Sequence, residues 1–455
     1  MGLKELSGGL LPAMNEAMPH RLVPVLGEFL FEHAGAREVS VLLADYELRE
    51  LRLLSPGDGE QLTLPVEGSS AGQCFIGQVV VSEPVAGGTM VLVPLSLRAE
   101  RLGVLRVLFD EQPVEPGLLL GLAEVALATA YVLVACGSCS DVVEAARRAE
   151  PLSVAAEMQW NLQPLRAFST GQFSVAGQLI PAYEVGGDCY DYNVDLEHLD
   201  LSSLDAMGHG VEASVLAGLA TAVMRNTRRA GGGPVAQLAA ADRQLLEQFG
   251  GEQFVTALAM RLNLADGQIE VVNAGHPAPW RVRGGRADQL ELEAQLPAGM
   301  FPATAYRAQN LQLQPGDRLV LVTDGVLEAG APGPEFDEQR LAGLLLATAG
   351  LGPHQCVAEV LRTLRSYAPR MHDDATVICL DWNGTHHHRP GLTPGSTTAP
   401  PLERTCSGAA TLPYCRSPNA RGWVTGEPRV AGLIMAALVV CCLVTREELF
   451  KRWRP

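Results

Sequence analysis

Asp205-Ala206-Met207-Gly208-His209-Gly210 follows an apolar, strand-like run at residues 199–204 and precedes a helical stretch that begins near Glu212. An acid at that junction is carried by the end of a strand and exposed by a Gly-rich turn. Three further motifs repeat the arrangement: Gly186-Gly187-Asp188, Thr323-Asp324-Gly325 and His372-Asp373-Asp374-Ala375-Thr376. Four strand ends can thus aim their oxygens into one cleft. Carboxylates brought that close repel one another unless hard cations sit between them. Each acid alone is an ordinary turn residue; the ordered set reads as a carboxylate cage for divalent cations.

The surrounding pattern fits that reading. Strand-like runs at 173–180, 199–204, 254–264, 268–273, 278–282, 318–322 and 375–380 bracket two helical pairs, 212–229 with 235–249 and 337–348 with 355–366. Ala265-Asp266-Gly267-Gln268 and Pro315-Gly316-Asp317 are turn signals, the first of them hairpin-like. Many strands with antiparallel helix pairs predict an α+β architecture of two stacked sheets flanked by helical layers.

With Phe254-Val255-Thr256-Ala257 and Asn273-Ala274-Gly275-His276-Pro277 added, the four motifs resemble in order and spacing the PPM (PP2C-like) protein phosphatases. More narrowly they resemble the bacterial branch of the sporulation phosphatase and the stress-response regulators of sigma-factor pathways. The resemblance covers about 210 residues. It implies an αββα sandwich, two Mn²⁺ or Mg²⁺ ions, and hydrolysis of phosphoserine or phosphothreonine by a metal-activated water. It assigns metal contacts to Asp188, Asp205, the backbone carbonyl of Ala206, Asp324 and one member of the Asp373–Asp374 doublet, with Asp373 favoured. The catalytic set is then Asp188, Asp205, Asp324 and Asp373. It also implies a phosphorylated anti-anti-sigma-type protein as substrate. His209 and His276 sit in Gly-flanked turns where a structural imidazole competes with a general acid, and Thr256 and Asn273 read as core or turn residues. This chain departs from the family pattern at Ala206-Met207, which offers no side-chain hydroxyl, and at Ala298, where a larger aliphatic is usual. No arginine stands out as a phosphate clamp.

Upstream, residues 39–43, 51–54, 90–95 and 103–109 have strand character, with helices at 22–34 and around 118–136. Ser69-Ser70-Ala71-Gly72-Gln73-Cys74, Val93-Pro94-Leu95 and Gly103-Val104-Leu105 resemble the pocket helix and final hairpin of a GAF domain. That resemblance implies a sensory α+β domain with a small-molecule pocket or a dimer interface. The predicted organisation is a GAF-like domain at 1–115, a helical connector at 116–168, a phosphatase domain at 169–383 and a tail at 384–455. The apolar stretch near Leu118 contains Glu124 and reads as a buried or dimerising helix rather than a membrane span. A homodimer is expected.

Composition narrows the partners. The chain has 455 residues, is 47% hydrophobic and carries a net charge of −17, which argues against a nucleic-acid surface. Ten cysteines without framework spacing, and no secretory signal, suggest a reducing cytoplasm. Cys136-Gly137-Ser138-Cys139, without a second pair, reads as helix packing. Residues 384–455 hold nine Lys or Arg against four Asp or Glu, so the first 383 residues carry −22. In that tail, His386-His387-His388 and the Pro/Thr/Ser-rich 390–401 read as linker. The uncharged segment 430–445, slightly short for a bilayer and followed by basic residues, is a tail anchor, a packing helix or a read-through of sequence unrelated to the ancestral domain. The competing function is a catalytically weak scaffold whose GAF-like half binds a ligand or partner.

Overall fold

The computed structural model describes residues 3–55, 62–110, 114–180, 183, 186–331, 334–368, 371 and 373–384. His372 and the tail motifs, including 386–388, 390–401 and 430–445, lie outside the described residues.

The N-terminal half is one antiparallel sheet between helices. Helices α1 (Leu3–Glu16) and α2 (Leu22–Ala34) precede strands β1 (Glu38–Ala44), β2 (Glu50–Leu53) and β3 (Thr63–Pro65). Helix α3 (Ser70–Gly77), strands β4 (Val81–Val85), β5 (Gly88–Leu97) and β6 (Glu100–Phe109), and helix α4 (Pro116–Gly137) follow, and the strand order is β3-β2-β1-β6-β5-β4. Alternation along β1 sorts the two faces. Val41 and Leu43 join the core under α1, α2 and α4, whereas Leu42 and Ala44 join a second core with Phe75 and Cys74 of α3. The residues that suggested a pocket helix do form α3, capped by the Ser69 hydroxyl, which accepts from the Gly72 amide at 2.9 Å.

The stretch expected to connect the halves is three helices: α4, then α5 (Val142–Arg147) and α6 (Val154–Trp160). Among the described residues, α4 has the length and composition of a membrane span. Its Leu122, Val125, Ala126 and Leu133 nevertheless sit in the core of the N-terminal sheet.

The C-terminal half opens with β7 (Ala167–Ser169), β8 (Phe173–Ile180), β9 (Asp188–Val194) and β10 (His198–Ala206). Helices α7 (Gly210–Arg229) and α8 (Pro234–Phe249) lead to β11 (Val255–Asn263), β12 (Gln268–Ala274), β13 (Trp280–Arg283), β14 (Arg286–Gln289), β15 (Gln309–Gln312) and β16 (Asp317–Val322). The chain closes with α9 (Asp324–Leu327), α10 (Glu338–Ala347), α11 (Pro353–Tyr367) and β17 (Ala375–Trp382). Two antiparallel sheets result, β15-β12-β11-β10-β9 and β14-β13-β16-β17-β8-β7.

Both faces of the central strands are covered, so they read as continuous apolar runs rather than alternating ones. On β16, Leu319 and Leu321 enter the core between the sheets while Val320 and Val322 pack under α10 and α11. On β11, Leu258, Met260 and Leu262 face inward, and Ala257 and Ala259 let α7 and α8 approach closely. The expected αββα sandwich is what these layers form, and it leaves the ends of β9, β10, β16 and β17 in position to converge.

Candidate active site

Asp188 begins β9 and Asp205 lies one residue from the end of β10; the two are direct cross-strand partners. Like charges facing one another across a ladder destabilise it. Asp188 is 2% exposed, and its Oδ2 accepts from Thr323 Oγ1 at 2.6 Å and Thr376 Oγ1 at 2.7 Å. Those hydroxyls come from the neighbouring ends of β16 and β17, so one sheet holds a carboxylate that the other carries. Burial pushes its pKa well up, and Asp205 and Asp374 push it further.

Asp324 opens α9 directly after β16, with Thr323 as the N-cap residue. Its pKa is raised by burial and then by Asp373. Burial raises Asp205 to about 7, aided by Asp324 and Asp373. The charges raising these acids are other carboxylates. Asp188, Asp205, Asp324 and Asp373 therefore share one acidic cleft.

The Asp373–Asp374 doublet divides its work. Asp374 is buried, and its Oδ2 accepts from the amides of Gly186 at 2.5 Å and Asp188 at 3.3 Å. Asp373 is exposed, and its Oδ1 accepts from the Asp374 amide at 2.8 Å. Asp374 thus fixes the turn that presents Asp188, and the charge of Asp373 acts on Asp205 and Asp324.

Two glycines permit this closeness. A Cβ on Gly187 would lie 2.2 Å from the carbonyl oxygen of Ala206, and one on Gly325 would lie 1.9 Å from that of Asp374. Only a hydrogen fits at either position.

The candidate histidines part company. His209 is the exposed N-cap residue of α7 and makes no capping bond through its side chain. His276 is buried and its pKa falls to about 3 because burial disfavours the cation. Its ring Nδ1 lies 3.0 Å from Thr256 Oγ1, while the Asn273 side chain accepts from the His276 amide and donates to its carbonyl. His276, Thr256 and Asn273 together build a turn.

Sequence reasoning assigned no role to Thr323, Thr376 or Gln159. Both threonines lie inside quoted motifs, but their partner is 135 and 188 residues away. Gln159, buried on α6, donates from Nε2 to the Gly186 carbonyl at 2.8 Å, which also accepts from Ser214 Oγ of α7 at 3.0 Å. Nothing local in the sequence marks that contact.

Hard divalent ions take such oxygen donors. Among the described residues no three acidic, imidazole or thiol side chains are already drawn onto one point. The donor set fits cations in another respect: several burial-raised carboxylates adjoin one another, and cations would offset that repulsion.

A two-sheet sandwich with helices outside and an acidic cleft at the strand ends is the PP2C-like fold. Residues 197–383 match the family described as Stage II sporulation protein E (SpoIIE), and that segment carries a domain of this family. Two curated Bacillus subtilis (strain 168) proteins are similar. Phosphoserine phosphatase RsbP is 30% identical over 160 residues, 34% of this chain and 40% of RsbP. Phosphoserine phosphatase RsbU is 22% identical over 231 residues, 50% of this chain and 69% of RsbU. The chain thus spans less than half of RsbP. Among solved structures, the SiaA-PP2C domain of Pseudomonas aeruginosa shares 23% identity at a TM-score of 0.44, covering 50% of this chain and 94% of that one.

Proposed function

We propose that this chain is a metal-dependent protein serine/threonine phosphatase acting on a regulatory phosphoprotein of the anti-anti-sigma type. The observation that carries the reading is the cross-strand pair Asp188 and Asp205, facing one another at the ends of β9 and β10 with Asp324 and Asp373 beside them. Asp188, Asp205, the carbonyl of Ala206, Asp324 and Asp373 would hold two Mn²⁺ or Mg²⁺ ions. When bound, such ions lower the pKa of a shared water and offset the charge on a phosphoryl group. The chain's own residues orient the acids: Thr323 and Thr376 fix one oxygen of Asp188, and Asp374 pins the Gly186–Asp188 turn. The similarity to proteins named phosphoserine phosphatases supports the substrate class.

The N-terminal half, read as a GAF-like sensory domain, gates the site through α6. Gln159 supports this, because a helix outside the sandwich reaches the turn that presents Asp188.

Purified protein should hydrolyse phosphoserine peptides or p-nitrophenyl phosphate with Mn²⁺ and stop when EDTA is added. Asp205→Ala and Asp324→Ala should each lose at least about a hundredfold in rate while remaining folded, because water activation depends on the ligands. No turnover at saturating Mn²⁺, or wild-type rates in both variants, would remove the reading.

A further inference from the structure

Cys136-Gly137-Ser138-Cys139 closes α4, and the expected role in helix packing holds for only one of its two thiols. Cys136 packs against the core under α4, whereas Cys139 is exposed, just beyond the C-cap residue Ser138. The other described cysteines, Cys74, Cys189, Cys356 and Cys379, are buried. The Cys136 carbonyl accepts from the amides of Cys139 and Ser140, each at 3.0 Å, so the chain turns back here. A turn closed in that way keeps its first and fourth Cα atoms within about 7 Å, a separation that a disulfide can span.

The side chains follow the backbone. Cys139 Sγ lies 3.5 Å from the Cys136 carbonyl oxygen, and the two thiols hydrogen-bond to one another. Burial, and then the Cys139 thiol, pushes the pKa of Cys136 up. Accessibility therefore makes Cys139 the first to react and Cys136 the partner that closes the bond. The pair stands at the C-terminal end of a helix, where the backbone dipole opposes a negative charge. A dithiol whose anion is not stabilised gains little by staying reduced, so its disulfide persists once made.

We propose that Cys136 and Cys139 form a thiol–disulfide exchange site that takes a small disulfide such as oxidised glutathione. Cys139 loses its proton to water and attacks one sulfur of the reagent, whose S–S bond breaks as a bond from glutathione to Cys139 forms. The departing glutathione thiolate takes up the proton. Cys136 then loses its proton in turn, attacks Cys139 Sγ and expels the second glutathione as a thiol. Two protein thiols are oxidised to an internal disulfide, and one glutathione disulfide is reduced to two thiols. The site is independent of the phosphatase reading.

Trypsin cuts after Arg106 and Arg147 with no Lys or Arg between them, so residues 107–147 leave as one peptide whose only cysteines are Cys136 and Cys139. The full chain is equilibrated in mixtures of reduced and oxidised glutathione, native and in concentrated guanidinium chloride. It is then quenched with N-ethylmaleimide under denaturing conditions and digested, and this peptide is analysed by mass spectrometry. In the native chain the peptide should be two hydrogens lighter and free of maleimide, with the glutathione adduct at most about a tenth of it. Preorganisation by the fold should make the equilibrium constant against glutathione at least about tenfold larger than in guanidinium. Cys136→Ser should stop at the glutathione adduct of Cys139, and Cys139→Ser should leave Cys136 as its maleimide adduct. A peptide that stays reduced in the native chain, a glutathione adduct that persists in the wild type, a bond from either cysteine to a sulfur elsewhere, or equal constants in the native and unfolded chains would each overturn the proposal.

Discussion

Two adjacent aspartates, Asp373 and Asp374, have different environments and so different expected roles. Asp374 Oδ2 accepts from two backbone amides, and leaving buried donors without their acceptor costs about 1–3 kcal/mol. Asp373 is exposed and has no comparable backbone load. Asp374→Asn should lower the melting temperature by several degrees, with activity falling as the Gly186–Asp188 turn loosens. Asp373→Asn should leave melting within about a degree of wild type and raise the Mn²⁺ concentration needed for half-maximal turnover at least about tenfold, the effect of weakening one carboxylate ligand. Differential scanning fluorimetry and a Mn²⁺ titration separate the two, and the opposite ordering would exchange the assignments. The doublet could not be resolved from sequence because both residues are Asp; only the amides brought in from 188 residues away distinguish them.

At the scale of elements, what could be read depended on burial. The strands β8, β16 and β17 are covered on both faces and announce themselves as apolar runs, and the helix pair α7 and α8 falls within two residues of its expected bounds. β9 escaped notice because Asp-Cys-Tyr-Asp-Tyr-Asn-Val reads as polar. Its buried Asp191 is neutralised by Arg225 at 2.8 Å and Arg228 at 2.8 Å from α7, partners no local window contains. The edge strands β14 and β15 are half exposed and carry no apolar run. Helix α1 is obscured by Gly8, Gly9 and Pro12. Helix α4 was visible, and its outer face bears on the expected homodimer. Leu120, Leu127, Tyr131 and Val134 are all exposed on it, at the intervals of seven, four and three that place residues on one stripe. If two copies pair along this stripe, Leu127→Glu should convert a dimer to a monomer in light-scattering chromatography without altering the fold by circular dichroism. A dimer that persists would locate self-association elsewhere.

For the whole molecule, the question is whether the N-terminal half merely precedes the sandwich or acts on it. The two halves are stitched at several points. Glu100 Oε2 accepts from the Ala167 amide at 3.0 Å, the Arg98 carbonyl accepts from the Ser169 amide at 3.1 Å, and Arg166 donates to Tyr46. All three contacts converge on residues 166–169, which lead into and form β7 just after α6. Through Gln159, α6 then touches Gly186, two residues from Asp188. Removing residues 1–150 leaves α6 in the chain but strips away Tyr46, Arg98 and Glu100, which fix the segment behind it. The Gly186 carbonyl would then be held by Ser214 and by a helix free to shift. The fragment 151–383 should accordingly keep Mn²⁺-dependent hydrolysis of p-nitrophenyl phosphate but with a changed rate or a changed Mn²⁺ requirement. Gln159→Leu in the full chain should move the same parameter in the same direction, because it cuts the last link while leaving the N-terminal half in place. A fragment whose rate and metal profile both match the full chain would show that the acidic cleft is assembled by the sandwich alone, and that the N-terminal half serves some purpose other than gating.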